Sequence, residues 1–147
     1  MKKLSIFGIT TIIIGTLIFL GYRTFFAKKL EIKVIEYNTY LKLNSSKEDY
    51  VLLFTKNNDD TSNELEKVIY DCFKDKNINI YEVNIDRISE EFYTNFLNDI
   101  NGIREEDSNI INIPTLIIAI NGKFEYINEG YIENDKLIKE IDNLDIK

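Results

Sequence analysis

The chain has 147 residues, 44% of them hydrophobic and 29% charged, with one cysteine and no histidine. That length allows one domain and a short appendage, with a core large enough to do without disulfides or metals. The residue inventory excludes histidine acid/base catalysis, histidine-containing zinc sites, intramolecular disulfides and Cys/His dyads. All 25 acidic residues follow residue 30, against 13 of the 18 Lys and Arg residues, so this part carries a formal charge of −12. Such a balance argues against nucleic acid as a partner, because phosphate binding needs concentrated positive charge.

The amino end is a separate piece. From Leu4 to Tyr22 the run LSIFGITTIIIGTLIFLGY has no charge over 19 residues, enough at about 1.5 Å per residue to cross a hydrocarbon layer of about 30 Å. The expected organisation is an N-terminal membrane anchor with its juxtamembrane segment, 1–29, followed by a folded domain, 30–147. A cleaved secretory signal is the rival reading, but RTFFAKK puts Phe25 and Phe26 where a cleavage site needs small residues. Lys2 and Lys3 precede the run and Arg23, Lys28 and Lys29 follow it, so the positive-inside count is close to a draw. A short basic head before a first span usually stays in the cytoplasm. We therefore expect a single-pass protein of the cell membrane whose C-terminal domain is extracytoplasmic.

Beyond the anchor, residues 31 to 35 alternate weakly, and 36 to 45 (EYNTYLKLNS) read as a short helix using Tyr37, Tyr40 and Leu41. YVLLFT, 50 to 55, is a short apolar run bounded by polar clusters, the mark of a strand buried on both faces. Leu65, Val68, Ile69, Cys72 and Phe73 then recur at helical spacing to about residue 75. INIYEVNI, 78 to 85, reads as a second strand. A second amphipathic helix starts near Ser89, carries Phe92, Phe96, Leu97 and Ile100, and stops at Gly102. After the polar loop REEDSN comes INIPTLIIAINGKFEYIN, in which Asn121-Gly122 between apolar runs signals a hairpin, since both residues tolerate positive φ. Leu137, Ile138, Ile141 and Leu144 define a last helix.

A βαβ unit followed by a ββα unit, with VLLFT as central strand and INIPTLIIAINGKFEYINEGY as the Ile-Pro-Thr stretch, hairpin and glycine before the last helix, resembles the thioredoxin family. The resemblance covers roughly residues 48 to 145. It implies an α/β fold, a central mixed sheet with flanking helices, following one N-terminal transmembrane helix. The anchor and the long segment before Ile113 look most like the exported, tethered thioredoxin-like proteins of Gram-positive bacteria, including the bacteriocin transport accessory group.

Thioredoxins place a Cys-x-x-Cys pair where the central strand turns into the first helix, because the helix N-terminus stabilises a thiolate. Aligned on VLLFT, those positions fall on Asp59 and Ser62. Neither forms a disulfide, so the family's oxidoreductase activity does not carry over and no catalytic residue is assigned. For the segment Asp59, Asp60, Thr61 and Ser62 we expect a helix cap, with Thr61 and Glu64 at capping-box spacing. Asp59, Asp60 and Glu64 lack the alternating acids and central glycine of a calcium loop, and neither a metal nor a cofactor is expected. Cys72 lies on the apolar stripe of its helix, and a thiol in the core without a cationic neighbour is inert.

Ile113-Pro114 holds the chain's single proline. The resemblance implies a cis bond there, and a loop whose exposed backbone pairs with an extended peptide by strand addition. The expected partner-binding residues are thus Ile113, Pro114 and Thr115, flanked by Asp59, Asp60, Thr61 and Ser62. The reading is a membrane-tethered, redox-inactive accessory module that binds a protein or extended peptide. Two alternatives stay open: a thiol-disulfide accessory protein acting through Cys72 or a partner's cysteines, and a structural subunit of a secretion or conjugation assembly.

Overall fold

A computed structural model describes residues 30–104, 110–144 and 146. In chain order the elements are β1 (Ile32–Val34), α1 (Tyr37–Asn44), β2 (Tyr50–Thr55), α2 (Asp60–Phe73), β3 (Asn79–Asn84), a 3-10 turn (Ile85–Arg87), α3 (Glu90–Asn101), β4 (Thr115–Ile120), β5 (Lys123–Glu129) and α4 (Asn134–Asn143). The strands form one sheet in the order β1-β3-β2-β4-β5. β3 pairs in parallel with β1 and β2, while β4 is antiparallel to both β2 and β5. This is the βαβ plus ββα arrangement expected. The added feature is β1, a three-residue edge strand whose weak alternation makes no strand signal alone; its partner Ile80 and neighbours supply the ladder.

β2 is buried along its whole length because it is central and covered on both faces. Successive side chains of a strand point to opposite faces, so Tyr50, Leu52 and Phe54 join α1 and α3 in one core layer, while Val51 and Leu53 join α2 and α4 in the other. The chain reaches β2 from β1 and then moves back from β2 to β3, lateral steps in opposite directions. Right-handed crossovers therefore need their helices on opposite faces, as α1 and α2 are. Phe54 and Phe96 stack at 3.8 Å between ring centroids, with Tyr40 and Phe92 packed beside them.

Helical spacing overestimates burial at several positions, Leu41 of α1 at 44% exposed and half-buried Tyr37 and Leu144 among them. Ile138 is 41% exposed, and Val68 and Cys72 are only half-buried, because α2 and α4 lie on one side of the sheet only and their stripes outrun the covered area. Among the described residues no helix is long and apolar enough to cross a membrane. The anchor expected at 4–22 and the polar residues 105 to 109 lie outside the described residues.

Candidate functional site

Strand register brings three segments to one end of the sheet. Phe54 is opposite Thr115 and Thr115 is opposite Glu129, so the turn after β2, the Pro114 loop before β4 and the Gly130 turn after β5 are neighbours. These include every partner-binding position expected from the sequence: Asp59 to Ser62 on the first segment and Ile113 to Thr115 on the second.

On the first segment Asn58 adopts a left-handed conformation (φ 54°) and Asp59 caps α2. Asp59 Oδ2 accepts from the Ser62 N–H at 2.7 Å and from Ser62 Oγ at 2.6 Å. Thr61 is therefore not the cap: it stands inside the first turn, and the capping pair is Asp59 with Ser62, two residues earlier than the Thr61–Glu64 expectation. Ser62 is 2% exposed, Asp60 is exposed, and Asp59 and Thr61 are half-buried. The loop is further tied to β3 and the 3-10 turn after it: Asn84 donates to Asn57 Oδ1 at 3.0 Å and the Asn57 N–H donates to Asp86 at 2.9 Å.

Beside this cap is a cleft of about 290 Å³ whose lining includes Thr55, Asn57, Ser62, Glu66, Glu82 and Arg87. Thr55 Oγ1 donates to Glu82 at 2.6 Å. Burial, and secondarily the charge of Glu82, hold the Glu66 carboxyl above its ordinary range. Among the described residues no group of three or more His, Cys, Asp or Glu side chains is placed to hold a metal ion.

The second segment is built differently. Ile113-Pro114 is cis. Pro114 is buried and Ile113 half-buried. The Pro114 carbonyl accepts from the Gly130 N–H at 2.7 Å, and Gly130 has φ 85°, the left-handed region that favours glycine. Thr115 is fully buried, and its hydroxyl donates to the Asn112 carbonyl at 2.6 Å. The Asn112 N–H in turn donates to Glu129 Oε2 at 2.8 Å, and Glu129 Oε1 meets Arg104 Nε at 2.6 Å. Between these fastened neighbours, the Ile113 N–H and C=O have no hydrogen-bond partner among the described residues. Tyr131, beyond Gly130, is 48% exposed. Asn112, Glu129, Arg104 and Tyr131 are absent from the sequence reading, since only folding places residues 104 and 129 beside 112.

Cys72 corrects another expectation. It is half-buried toward the far end of α2 from Asp59, and its Sγ donates to Asn134 Oδ1 at 2.9 Å. Desolvation raises the thiol above its usual value, with Asp71 adding to the rise and Lys74 and Lys76 opposing it. The raised thiol is the opposite of the lowered value that marks a reactive cysteine.

No family model and no curated protein matches the chain. Solved structures do. Thioredoxin from Malassezia sympodialis aligns at a TM-score of 0.56 with 18% identity, covering 78% of this chain and 91% of that one. Thioredoxin from Trypanosoma brucei brucei aligns at 0.57 with 17% identity, over 81% and 95%, and thioredoxin from Aeropyrum pernix at 0.53 with 14% identity, over 75% and 84%. At such identities the likeness concerns the backbone, and it shows that the chain has a thioredoxin-like α/β fold.

Proposed function

We propose that this protein is a membrane-tethered, redox-inactive thioredoxin-like module that binds an extended segment of a partner protein at the Pro114 loop. The observation that carries the reading is Ile113: its backbone donor and acceptor are unpaired beside Pro114, at the sheet end where loops converge. Extended peptides are bound through such free backbone groups, with neighbouring surface supplying specificity. Ile113 supplies the edge. Pro114 and Thr115, both buried, act by shaping the loop, while Asp59, Asp60, Thr61 and exposed Tyr131 border it; Ser62 serves only the cap. Redox inactivity is supported by Asp59 and Ser62 standing at the thiol positions and by the raised Cys72 thiol. Tethering is supported by the uncharged run at 4–22, which with the long segment before Ile113 carries the likeness to exported accessory proteins, and the extracytoplasmic placement by the short basic head, Lys2 and Lys3, that precedes it.

The test is to pan the full-length chain against a library of displayed peptides and to measure binding of those captured. Ile113→Ala, which keeps the backbone groups, is expected to retain affinity within a few-fold, whereas Ile113→Pro, which removes the N–H, is expected to abolish it. Equal loss in both variants, or failure of the wild type to capture any peptide, would sink the proposal. The same preparation is expected to reduce no insulin disulfides in the presence of dithiothreitol, and a reporter fused after Lys147 is expected to be active outside the cytoplasm and to sediment with membranes.

A further inference from the structure

Resting on the reading of Ile113 as a peptide edge, we propose that the Arg104–Glu129 ion pair is a positioning device: Glu129 orients the binding backbone and Arg104 holds Glu129 in place. Three segments distant in sequence meet at one carboxylate. Arg104 follows α3, Asn112 precedes the Pro114 loop and Glu129 ends β5. Glu129 Oε1 takes Arg104 Nε at 2.6 Å, and Oε2 takes the Asn112 N–H at 2.8 Å and Asn112 Nδ2 at 3.3 Å. Arg104 Nη2 also donates to the Ile110 carbonyl at 2.9 Å, fastening the chain just upstream. The side chains of Arg104 and Glu129 are only 8% and 17% exposed.

Stability alone is a poor explanation of this arrangement. A buried ion pair must offset the desolvation of both charges, and apolar replacements of similar volume often leave stability equal or higher. What the pair does supply is direction. A peptide unit is planar, so the Asn112 carbonyl and the Ile113 N–H lie in one plane and, across this trans bond, point in opposite directions. Thr115 Oγ1 holds that carbonyl at 2.6 Å, while Glu129 holds the N–H on the other side of the Asn112 Cα. With both dihedrals of Asn112 restrained, the Ile113 N–H is held pointing away from the Thr115 hydroxyl before any partner arrives. Preorganisation of this kind lowers the ordering cost of binding.

The experiment compares two double variants of the full-length chain. Arg104→Met with Glu129→Gln keeps an acceptor for Asn112 and leaves no uncompensated charge; Arg104→Met with Glu129→Leu removes the acceptor. The readouts are the urea midpoint, the line widths of the Ile113 and Thr115 amides by NMR without ligand, and affinity for a peptide selected on the wild type. The glutamine pair, which keeps the acceptor but loses the Arg104 tether, is expected to keep the urea midpoint and to broaden the amides and lose affinity by less than the leucine pair. The leucine pair is expected to keep the urea midpoint, to broaden both amides, and to lose about tenfold in affinity, the scale of one hydrogen bond's worth of ordering.

Sharp amides and unchanged affinity in the leucine pair would overturn the proposal, as would a parallel fall of stability and affinity in both pairs. If the leucine pair does not fold, Thr115→Val, which frees the Asn112 carbonyl, replaces it. Its amide broadening and affinity loss, with rescue by Thr115→Ser, support the proposal, and their absence overturns it. If no peptide binds the wild type, the binding function fails on its own, while the amide line widths still decide whether Glu129 orients the loop.

Discussion

At the end of the sheet where β2 begins, the hairpin turn Asn121–Gly122 is docked on the α1–β2 connection: the Gly122 N–H donates to the Glu48 carbonyl and the Asn121 N–H to Asp49, both at 2.9 Å. Tyr40 donates to Asp99 at 2.6 Å, and Asn44 links Tyr40, Asp99 and Tyr50. At the opposite end, where β2 finishes, the polar groups of the α2 cap are likewise satisfied internally, yet the Ile113 backbone is left open. One end is closed by contacts that hold the fold, and the other combines a self-satisfied cap with an unsatisfied edge. The difference predicts that stability and the proposed peptide binding rest on different residues, so each should be removable without the other.

The largest expected effect is at the closed end. A Cβ on Gly122 would lie 1.8 Å from the Ser46 carbonyl oxygen, and its φ of 74° already disfavours other residues. Gly122→Ala should cost at least about 2 kcal/mol in urea unfolding, with peptide affinity of the folded fraction unchanged. A neutral substitution would show that the turn is not locked on the α1–β2 connection. Next, Asp59→Ala at the open end should lower stability by about 1 kcal/mol through loss of the cap and weaken peptide binding far less than Ile113→Pro does. A large affinity loss would move the cap into the binding surface and blur the comparison. Tyr40→Phe should cost about 1 kcal/mol by deleting its bond to Asp99, without touching affinity.

The smallest effect sharpens the comparison by pH. Because the Glu66 carboxyl is raised in the folded protein, the native state binds its proton more tightly than the unfolded chain does. Folding is then penalised by this group at pH values above its folded pKa, and the penalty disappears as pH falls through that range. Glu66→Gln is expected to raise the thermal midpoint slightly at pH 7 and to give no gain below the ordinary carboxylate range. A gain that persists in acid would mean that packing, not charge, sets the effect.

How far the site was legible depends on whether its signal is local. The Pro114 loop and the absence of thiols at Asp59 and Ser62 are read directly from residue types and their order. The position of the cap was misplaced by two residues because Asp59, Thr61 and Ser62 are all competent cap formers, and only backbone conformation selects among them: Asp59 is extended and α2 begins at Asp60. Cys72 was assigned to the core because it follows the 3.6-residue stripe. The stripe gives direction around the helix but not the extent of the surface packed against it: Cys72 packs at the margin of the core, and its sulfur also donates to Asn134.

What the sequence by itself determined is the part set by periodicity and turn chemistry: strands at 50–55 and 115–120 with no polar face, helices whose apolar stripes include Leu65, Ile69, Phe92 and Phe96, and a hairpin at Asn121-Gly122. These signals arise within a few residues along the chain, where steric preference and alternation act directly. Tertiary structure alone decided that three-residue β1 joins the sheet, that Gly122 sits against Ser46, and that Glu129 reaches both Arg104 and Asn112. Those contacts join residues far apart in sequence, and their partners are chosen by sheet order and register once the core has closed, which no local pattern encodes.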